Sequence, residues 1–315
     1  MGRRTAVIER TPHDEGPRDA GRGHARLISP PLVVGLRAAQ SRPARAVDGD
    51  PASPRHCPRD LEEGLSRSLD PRTKDWLFLS SPWHVVAIVA LYLYFCLRLG
   101  PRLMRDRQPF DVDRFIVAYD LFQILISAWL SWQGVFYGFP RHIRFFCEPV
   151  DYSTDEVNLH IASMTWLYFM VKVLDLLDTV FFVLRKKDNQ VTFLHVYHHA
   201  MMVLGTWAAA KYFAGGHFLF LGQMNSIVHT VMYSYYLLAN IHPAYKKSLW
   251  WKKYITQLQI AQFLLLCVQN YPTFLWSDCA VSVWLRLFLS AQNLLMLVMF
   301  LDFYKRAYRR TKSEA

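Results

Sequence analysis

Glycine and cysteine are scarce in this sequence, with 14 and 5 residues respectively among 315. Apolar residues make up 52% of the chain and aromatic residues 15%, so the chain can bury a large core. Charge is distributed unevenly. Residues 1–75 hold 14 Lys and Arg and 11 Asp and Glu, whereas apolar blocks dominate from Trp76 onward. The two parts therefore need separate interpretations.

The N-terminal extension, residues 1–69, lacks the compact cationic start and long apolar core of a signal peptide. Its one weakly apolar patch, SPPLVVGLRAAQ (29–40), has too few apolar residues to span a membrane. The abundance of Arg, Pro and Gly predicts a disordered extension. A targeting role and a misassigned start codon are open alternatives, and we expect no chemistry from this region.

Seven apolar segments follow, each near the ~20 residues that span a bilayer. They lie at 82–99, 115–137, 158–184, 192–212, 217–240, 254–275 and 280–304. Several contain charged or amide residues, so a soluble all-helical protein is the alternative, but repeated spans of this length are rare in soluble folds. The sequence predicts an all-α integral membrane protein with seven transmembrane helices in residues 70–310 and a short cytosolic tail, 311–315.

Basic residues orient these spans. Of the 22 Lys and Arg after residue 75, 17 fall on one face of the proposed membrane and 3 on the other. The positive-inside rule then places the C-terminus in the cytosol. This distribution explains the excess of positive charge without a nucleic-acid partner.

Cys147 and Cys279 fall in two loops on the predicted non-cytosolic side, where a disulfide could persist. Sequence gives no proximity between them, so a disulfide and two free thiols are equally open.

Ionisable groups at membrane depth are costly and usually mark function. In the third span, Lys172, Asp175, Asp178 and Thr179 lie at offsets 0, 3, 6 and 7 and share one stripe. An internal ion pair that locks neighbouring helices is the structural alternative.

Two later spans carry similar stripes. Asn225 and His229 are one turn apart in the fifth span, and Thr256, Gln259 and Gln262 share a face of the sixth. Hydrogen bonding between helices is the alternative for the amides. Together the stripes predict a polar chamber near the cytosolic face, which favours catalysis over a channel.

The fourth span begins FLHVYHHAMM, which places His195, His198 and His199 on one helix face. A metal-dependent desaturase or hydroxylase carries similar boxes but needs several of them to supply its ligands. This chain has a single HxxHH box and His229, which together supply few ligands for two irons. Neutral imidazoles instead suit proton transfer and attack on an activated acyl group.

Four motifs, KVLDLLDT, LHVYHH, NSIVHTVMYSYY and TQLQIAQ, occur in that order and resemble the very-long-chain fatty acid elongases. The resemblance runs from about residue 70 to residue 310. It implies an endoplasmic-reticulum membrane protein whose seven spans include six in a barrel around a closed-ended tunnel. It also implies condensation of a long-chain acyl-CoA with malonyl-CoA, giving 3-oxoacyl-CoA, carbon dioxide and CoA, without metal or cofactor.

The resemblance also implies residue roles. His198 would accept the acyl group, His195 and His199 would orient it or move protons, and His229 with Asn225 would stabilise the enolate. The remaining members of the implied substrate site are Lys172, Asp175, Asp178, Arg185, Lys187, Gln190, Tyr235, Lys252, Thr256 and Gln259.

Some features depart from the family pattern. The family usually has Glu where this chain has Asp175, one methylene shorter, which loosens the expected contact with Lys172. Arg185 and Lys187 could also be ordinary topology determinants. The C-terminal KSEA lacks the paired lysines of a retrieval signal. A homo-oligomer and association with other enzymes of the elongation cycle are compatible with the sequence. A non-catalytic membrane transporter is the remaining alternative.

Overall fold

The computed structural model describes residues 69–138, 144–242, 244–245 and 249–308. Within that part the secondary structure is helical and contains no strand. The predicted extension therefore lies outside the described residues, apart from residue 69, and so does the predicted tail. The helices are α1 (Pro82–Tyr94), α2 (Gly100–Met104), α3 (Asp113–Gln133), α4 (Glu156–Leu174), α5 (Leu176–Leu184), α6 (Phe193–Tyr212), α7 (Leu219–Ile241), α8 (Leu249–Asn270) and α9 (Val283–Tyr308).

Local sequence explains where several helices begin. The Ser81 hydroxyl accepts a hydrogen bond from the Trp83 amide at the start of α1, and Pro82 occupies the first helical position. Thr192 caps α6 in the same way by accepting from the His195 amide. The cap therefore fixes the start of the helix that carries the histidine box.

Asp155 caps α4 by accepting hydrogen bonds from the amides of Val157 and Asn158. Hydrogen bonds from the Ser153 hydroxyl and from the Asn158 side-chain and backbone amides hold the pKa of Asp155 well below its usual range. The carboxylate also favours the positive end of the helix dipole.

Three helical segments are long and apolar enough to cross a membrane: Pro82–Met104, Asp113–Gly138 and Val283–Tyr308. They correspond to the first two and the last of the predicted spans. The first runs through a π-helical turn, Phe95–Leu99, that joins α1 to α2. The middle helices carry the buried charges, histidines and amides, which make them less apolar. The seven-span count and the barrel stay predictions.

The helix pairs with the most extensive contact are α3 with α7, α8 with α9, and α4 with α6. One core cluster joins α1, α4 and α6 through Val89, Phe169 and Val203, among others. A second joins α7, α8 and α9 through Phe220, Leu266 and Met296. Leu194 and Tyr197 of α6 pack against this second cluster, so α6 is held by both clusters.

The loop before α4 packs against the turn between α6 and α7. The His217 amide donates to the Glu148 carbonyl at 2.9 Å. Gly216 has a φ of +58°, and a Cβ there would lie 3.0 Å from the same carbonyl oxygen. Glycine meets both demands, the backbone conformation and the close approach. A disulfide joins Cys147 to Cys279, with the two Cα atoms 5.2 Å apart, and so ties this loop to the segment before α9.

Candidate active site

A break between two helices positions the buried charges. Helix α4 ends at Leu174 and α5 begins at Leu176, so Asp175 lies in the turn between them. The Lys172 ammonium donates to Asp175 Oδ2 at 2.8 Å, and both side chains are only 2–3% exposed. From α3, Gln123 Nε2 donates to Asp175 Oδ1 at 2.8 Å. Both carboxylate oxygens therefore have a donor, as a buried charge requires.

His229 extends this network from α7. Its Nδ1 lies 3.3 Å from the Lys172 ammonium and 3.6 Å from Asp175 Oδ2. An ammonium has no lone pair and can only donate, so Nδ1 accepts and Nε2 carries the proton of the neutral ring. The network thereby fixes one tautomer of His229 and leaves Nε2–H available as a donor.

Asn225, one turn before His229, has its orientation fixed by a tyrosine. The Tyr168 hydroxyl donates to Asn225 Oδ1 at 2.8 Å, and both residues are buried. The Tyr168 ring also lies 4.9 Å from the Lys172 ammonium. Because the amide oxygen is engaged, the Nδ2 group of Asn225 is the one left to meet a ligand.

The other two polar residues of the third-span stripe have different partners. Asp178 accepts from the Tyr233 hydroxyl at 2.7 Å. Thr179 Oγ1 lies 2.9 Å from His195 Nε2 and 2.8 Å from the Tyr92 hydroxyl. The stripe predicted from the sequence does face inward, but it divides between two networks instead of forming one.

The three histidines of the box form a row of rings on α6. The ring centroids of His195 and His199 are 4.3 Å apart, and those of His198 and His199 are 5.5 Å apart and nearly perpendicular. His199 is buried at 7% exposure between its two neighbours. The row runs from the Thr179 contact to the wall of a cavity.

That cavity lies between α6, α7, α8 and α9 and, counted with the open space at its mouth, spans about 620 Å³. Its polar lining includes His198, Asn225, Gln262 and Asn293, whereas most of the remaining wall is apolar. The apolar and small members are Met201, Met202, Gly205, Phe218, Leu221, Phe263, Leu266, Phe288, Leu289 and Met296. The lining is that of a typical ligand site, apolar with a few polar groups.

The candidate residues nearer the helix ends do not join the buried network. Arg185 forms an ion pair with Asp113 at 3.0 Å. Lys187, Gln190 and Lys252 are exposed. These side chains are therefore accessible to an anionic group outside the helix bundle.

Three further candidates are packed or bonded locally. The Tyr235 hydroxyl donates to the Tyr245 carbonyl at 3.4 Å, and Thr256 Oγ1 donates to the Lys252 carbonyl at 2.9 Å. Gln259 Nε2 lies 3.6 Å from the sulfur of Met232. Tyr235 thus belongs to α7 and Gln259 meets that helix at Met232, whereas this hydrogen bond of Thr256 stays within α8.

Sequence reasoning missed the contribution of α3. Tyr119, Gln123 and Ser127 lie at offsets 0, 4 and 8, and Gln123 is fully buried against Asp175. The Gln123 amide also donates to the Tyr119 hydroxyl at 2.9 Å. The same polar periodicity that identified the later stripes was present in the second apolar segment and could have revealed this one.

Comparison with known proteins agrees with these motifs. The model of the ELO: GNS1/SUR4 family matches residues 77–315. A very long chain fatty acid elongase 7 from Drosophila melanogaster is 39% identical over 250 residues, covering 79% of this chain and 75% of the relative. The elongase 7 of Rattus norvegicus is 41% identical, covering 78% and 87% of the two chains, and elongase 4 of Mus musculus is 40% identical, covering 77% of each.

Within the described residues, no three His, Cys, Asp or Glu side chains are grouped closely enough to hold a metal ion. The match covers the histidine box, the Lys172 network and the cavity alike. The chain therefore belongs to the ELO family, described as the GNS1/SUR4 family.

Proposed function

We propose that this protein is the condensing enzyme of fatty acid elongation, which joins a long-chain acyl-CoA to malonyl-CoA. The observation that carries the proposal is the position of His198 in the wall of a largely apolar cavity, whose lining suits an acyl chain. The elongases to which the chain is similar support the same reaction class. The products are 3-oxoacyl-CoA, carbon dioxide and free CoA.

In the first half-reaction, a neutral ring nitrogen of His198 attacks the thioester carbon. The carbon–sulfur bond breaks, the CoA sulfur leaves with its electron pair, and the proton that the ring gives up converts it to the thiol. Burial favours the neutral, nucleophilic ring because it disfavours the imidazolium cation. His195 and His199 hold this ring in its row and can relay the proton.

In the second half-reaction, malonyl-CoA loses carbon dioxide, and the electrons of the broken carbon–carbon bond form an enolate. The enolate carbon attacks the acyl carbon, the bond to His198 breaks, and the ring takes up a proton. Hydrogen-bond donors aimed at the negative charge that develops on the enolate oxygen lower the activation barrier of this step. The Nε2–H of His229 and the Nδ2 group of Asn225 are the donors assigned to the enolate oxygen.

CoA itself is assigned to the basic end of the bundle. Arg185, Lys187 and Lys252 supply positive charge for its phosphates, and guanidinium and ammonium groups both bind phosphate well. Gln190, Tyr235, Thr256 and Gln259 complete the proposed contact region. This arrangement belongs to a seven-span endoplasmic-reticulum protein whose C-terminus is cytosolic and whose tunnel is closed at its far end.

The decisive experiment measures malonyl-CoA-dependent release of carbon dioxide by the purified full-length chain, with C18 acyl-CoA as primer. We expect His198→Ala to abolish release while the protein stays monodisperse in size-exclusion chromatography. His242→Ala is the matched control, because His242 is an exposed histidine at the end of α7.

Normal turnover by the His198→Ala protein would refute the acyl-histidine step. Stoichiometric iron or zinc in active protein would refute the metal-free chemistry. Binding of acyl-CoA without any turnover would refute the enzyme and favour a carrier.

A further inference from the structure

The acyl cavity contains a polar group that the reaction described above does not use. Asn293, on α9, is 3% exposed and lines the cavity together with His198. Its Nδ2 group is buried and has no hydrogen-bond partner among the described residues. An unpaired buried donor costs about 1–3 kcal/mol, so an acceptor brought by a ligand would remove a standing penalty.

A neighbouring hydrogen bond fixes the position of Asn293 relative to the histidine box. The Tyr197 hydroxyl donates to Gln292 Oε1 at 2.9 Å. Tyr197 directly precedes His198, and Gln292 directly precedes Asn293. The bond therefore holds α6 and α9 together at the point where the nucleophile and the unpaired amide enter one cavity.

The substrate limits what the amide can bind. An unsubstituted long-chain acyl group is made of methylene groups, which accept no hydrogen bond, and it carries one oxygen, that of its carbonyl. A donor in the cavity that His198 also lines therefore has a single acceptor on the acyl group. That oxygen becomes negatively charged when the carbonyl is attacked.

We propose that the Asn293 amide is an oxyanion-hole donor for acylation of His198, an assignment that rests on the proposed function. When the His198 nitrogen bonds to the thioester carbon, the carbonyl π electrons move onto oxygen, and Asn293 Nδ2–H donates to that oxyanion. When the carbonyl re-forms, the carbon–sulfur bond breaks and CoA leaves as the thiol with the proton from His198. Asn293 neither gains nor loses a proton.

The test is single-turnover release of free CoA from C18 acyl-CoA in the absence of malonyl-CoA, followed by chromatography of CoA and mass mapping of the His198 peptide. Removal of one oxyanion donor typically slows such a step by about 100-fold or more. We expect about that loss of rate for Asn293→Leu, which keeps the branching and the number of side-chain heavy atoms, and for Asn293→Ala, which avoids any steric conflict.

Ser290→Ala is the matched control. Ser290 is also buried on α9 with an unpaired hydroxyl, but it does not line the cavity. Its variant should release CoA at the wild-type rate. Acyl-CoA affinity, measured in a His198→Ala background, should fall by no more than about tenfold on Asn293→Leu. This is less than the loss of rate, because the amide contact to the neutral carbonyl strengthens as charge develops.

A second readout is the infrared carbonyl stretch of the acyl-enzyme made with a ¹³C-carbonyl primer. Loss of the amide donor should raise its frequency, which a purely structural role would not do. Wild-type rates of CoA release by both Asn293 variants, with the acyl-His198 peptide still formed, would overturn this inference and leave the proposed function intact. Tighter binding of saturated acyl-CoA with unchanged release would also overturn it, since Asn293 would then face the chain. Absence of an acyl-His198 peptide in the wild type would overturn both.

Discussion

Replacing Lys172 with methionine isolates the buried charge network from the rest of the site. Methionine keeps most of the length of the side chain but removes the ammonium. Asp175 then loses the donor to Oδ2, and only Gln123 is left to bind its carboxylate. His229 also loses the contact to Nδ1 that fixes its tautomer.

The structure sets the expected magnitude. Both partners of the Lys172–Asp175 pair are nearly inaccessible to solvent, so removal of one leaves an uncompensated buried charge. Such a change typically costs about 3–5 kcal/mol of folding free energy. Removing both charges, in Lys172→Met/Asp175→Leu, should bring stability back to within about 1–2 kcal/mol of the wild type.

Activity should behave differently from stability. The double variant regains a stable fold but not the tautomer of His229, so malonyl-CoA-dependent release of carbon dioxide should stay low. Release of CoA from acyl-CoA alone, the step assigned to His198, should remain near the wild-type rate.

Thermal unfolding in detergent would rank the stabilities, and separate assays of CoA and carbon dioxide would give the two rates. A double variant as unstable as Lys172→Met would refute the ion pair as the unit of stability. Full carbon dioxide release by the double variant would refute the role given to His229 through this pair.

Three other predictions concern groups around the site. Because the pKa of Asp155 is lowered in the folded state, its charge stabilises the fold above the unfolded pKa of about 3.9, and this contribution is lost as pH falls further. The difference in thermal midpoint between wild type and Asp155→Asn should therefore shrink below about pH 4, and a constant difference would contradict the assignment. Replacing Cys147 and Cys279 with serine should lower the unfolding free energy by about 2–5 kcal/mol, and peptide mapping that finds both thiols alkylatable in native protein would contradict the disulfide. Thr179→Val removes the hydroxyl beside His195 and should cost about 1–3 kcal/mol in thermal unfolding, with an unchanged midpoint as the contrary result.

The site could be predicted further from the sequence than the helix arrangement could. Polar residues at helical spacing in apolar segments indicated inward faces, and His198, Asn225 and Gln262 do line one cavity. Spacing cannot show which faces meet, since that depends on how the helices pack. The third-span stripe illustrates this. Asp178 is connected back to Asp175 through the hydroxyls of Tyr233 and Tyr119 and the amide of Gln123, whereas Thr179 contacts His195.

Exposed residues were the least predictable from spacing. Lys187, Gln190 and Lys252 were assigned from the family resemblance, and the structure gives them no contact with the buried network. A side chain at a helix end is held by its ligand more than by the fold, so its position without a ligand carries little information about binding. Cys147 and Cys279 show the converse, since two distant loops meet only because the helices between them bring them together.

Two polar networks with separate hydrogen-bond partners support the candidate site, and this division suits the two half-reactions of the proposed mechanism. One runs from Tyr92 through Thr179 and His195 toward His198, and the other joins Lys172 and Asp175 to His229. With separate supports, His229 can keep the tautomer that donates to an enolate while the histidine box gains and loses a proton. The break between α4 and α5 lies where the networks part along the chain, since Lys172 is in the last turn of α4, Asp175 lies in the break, and Thr179 is in α5.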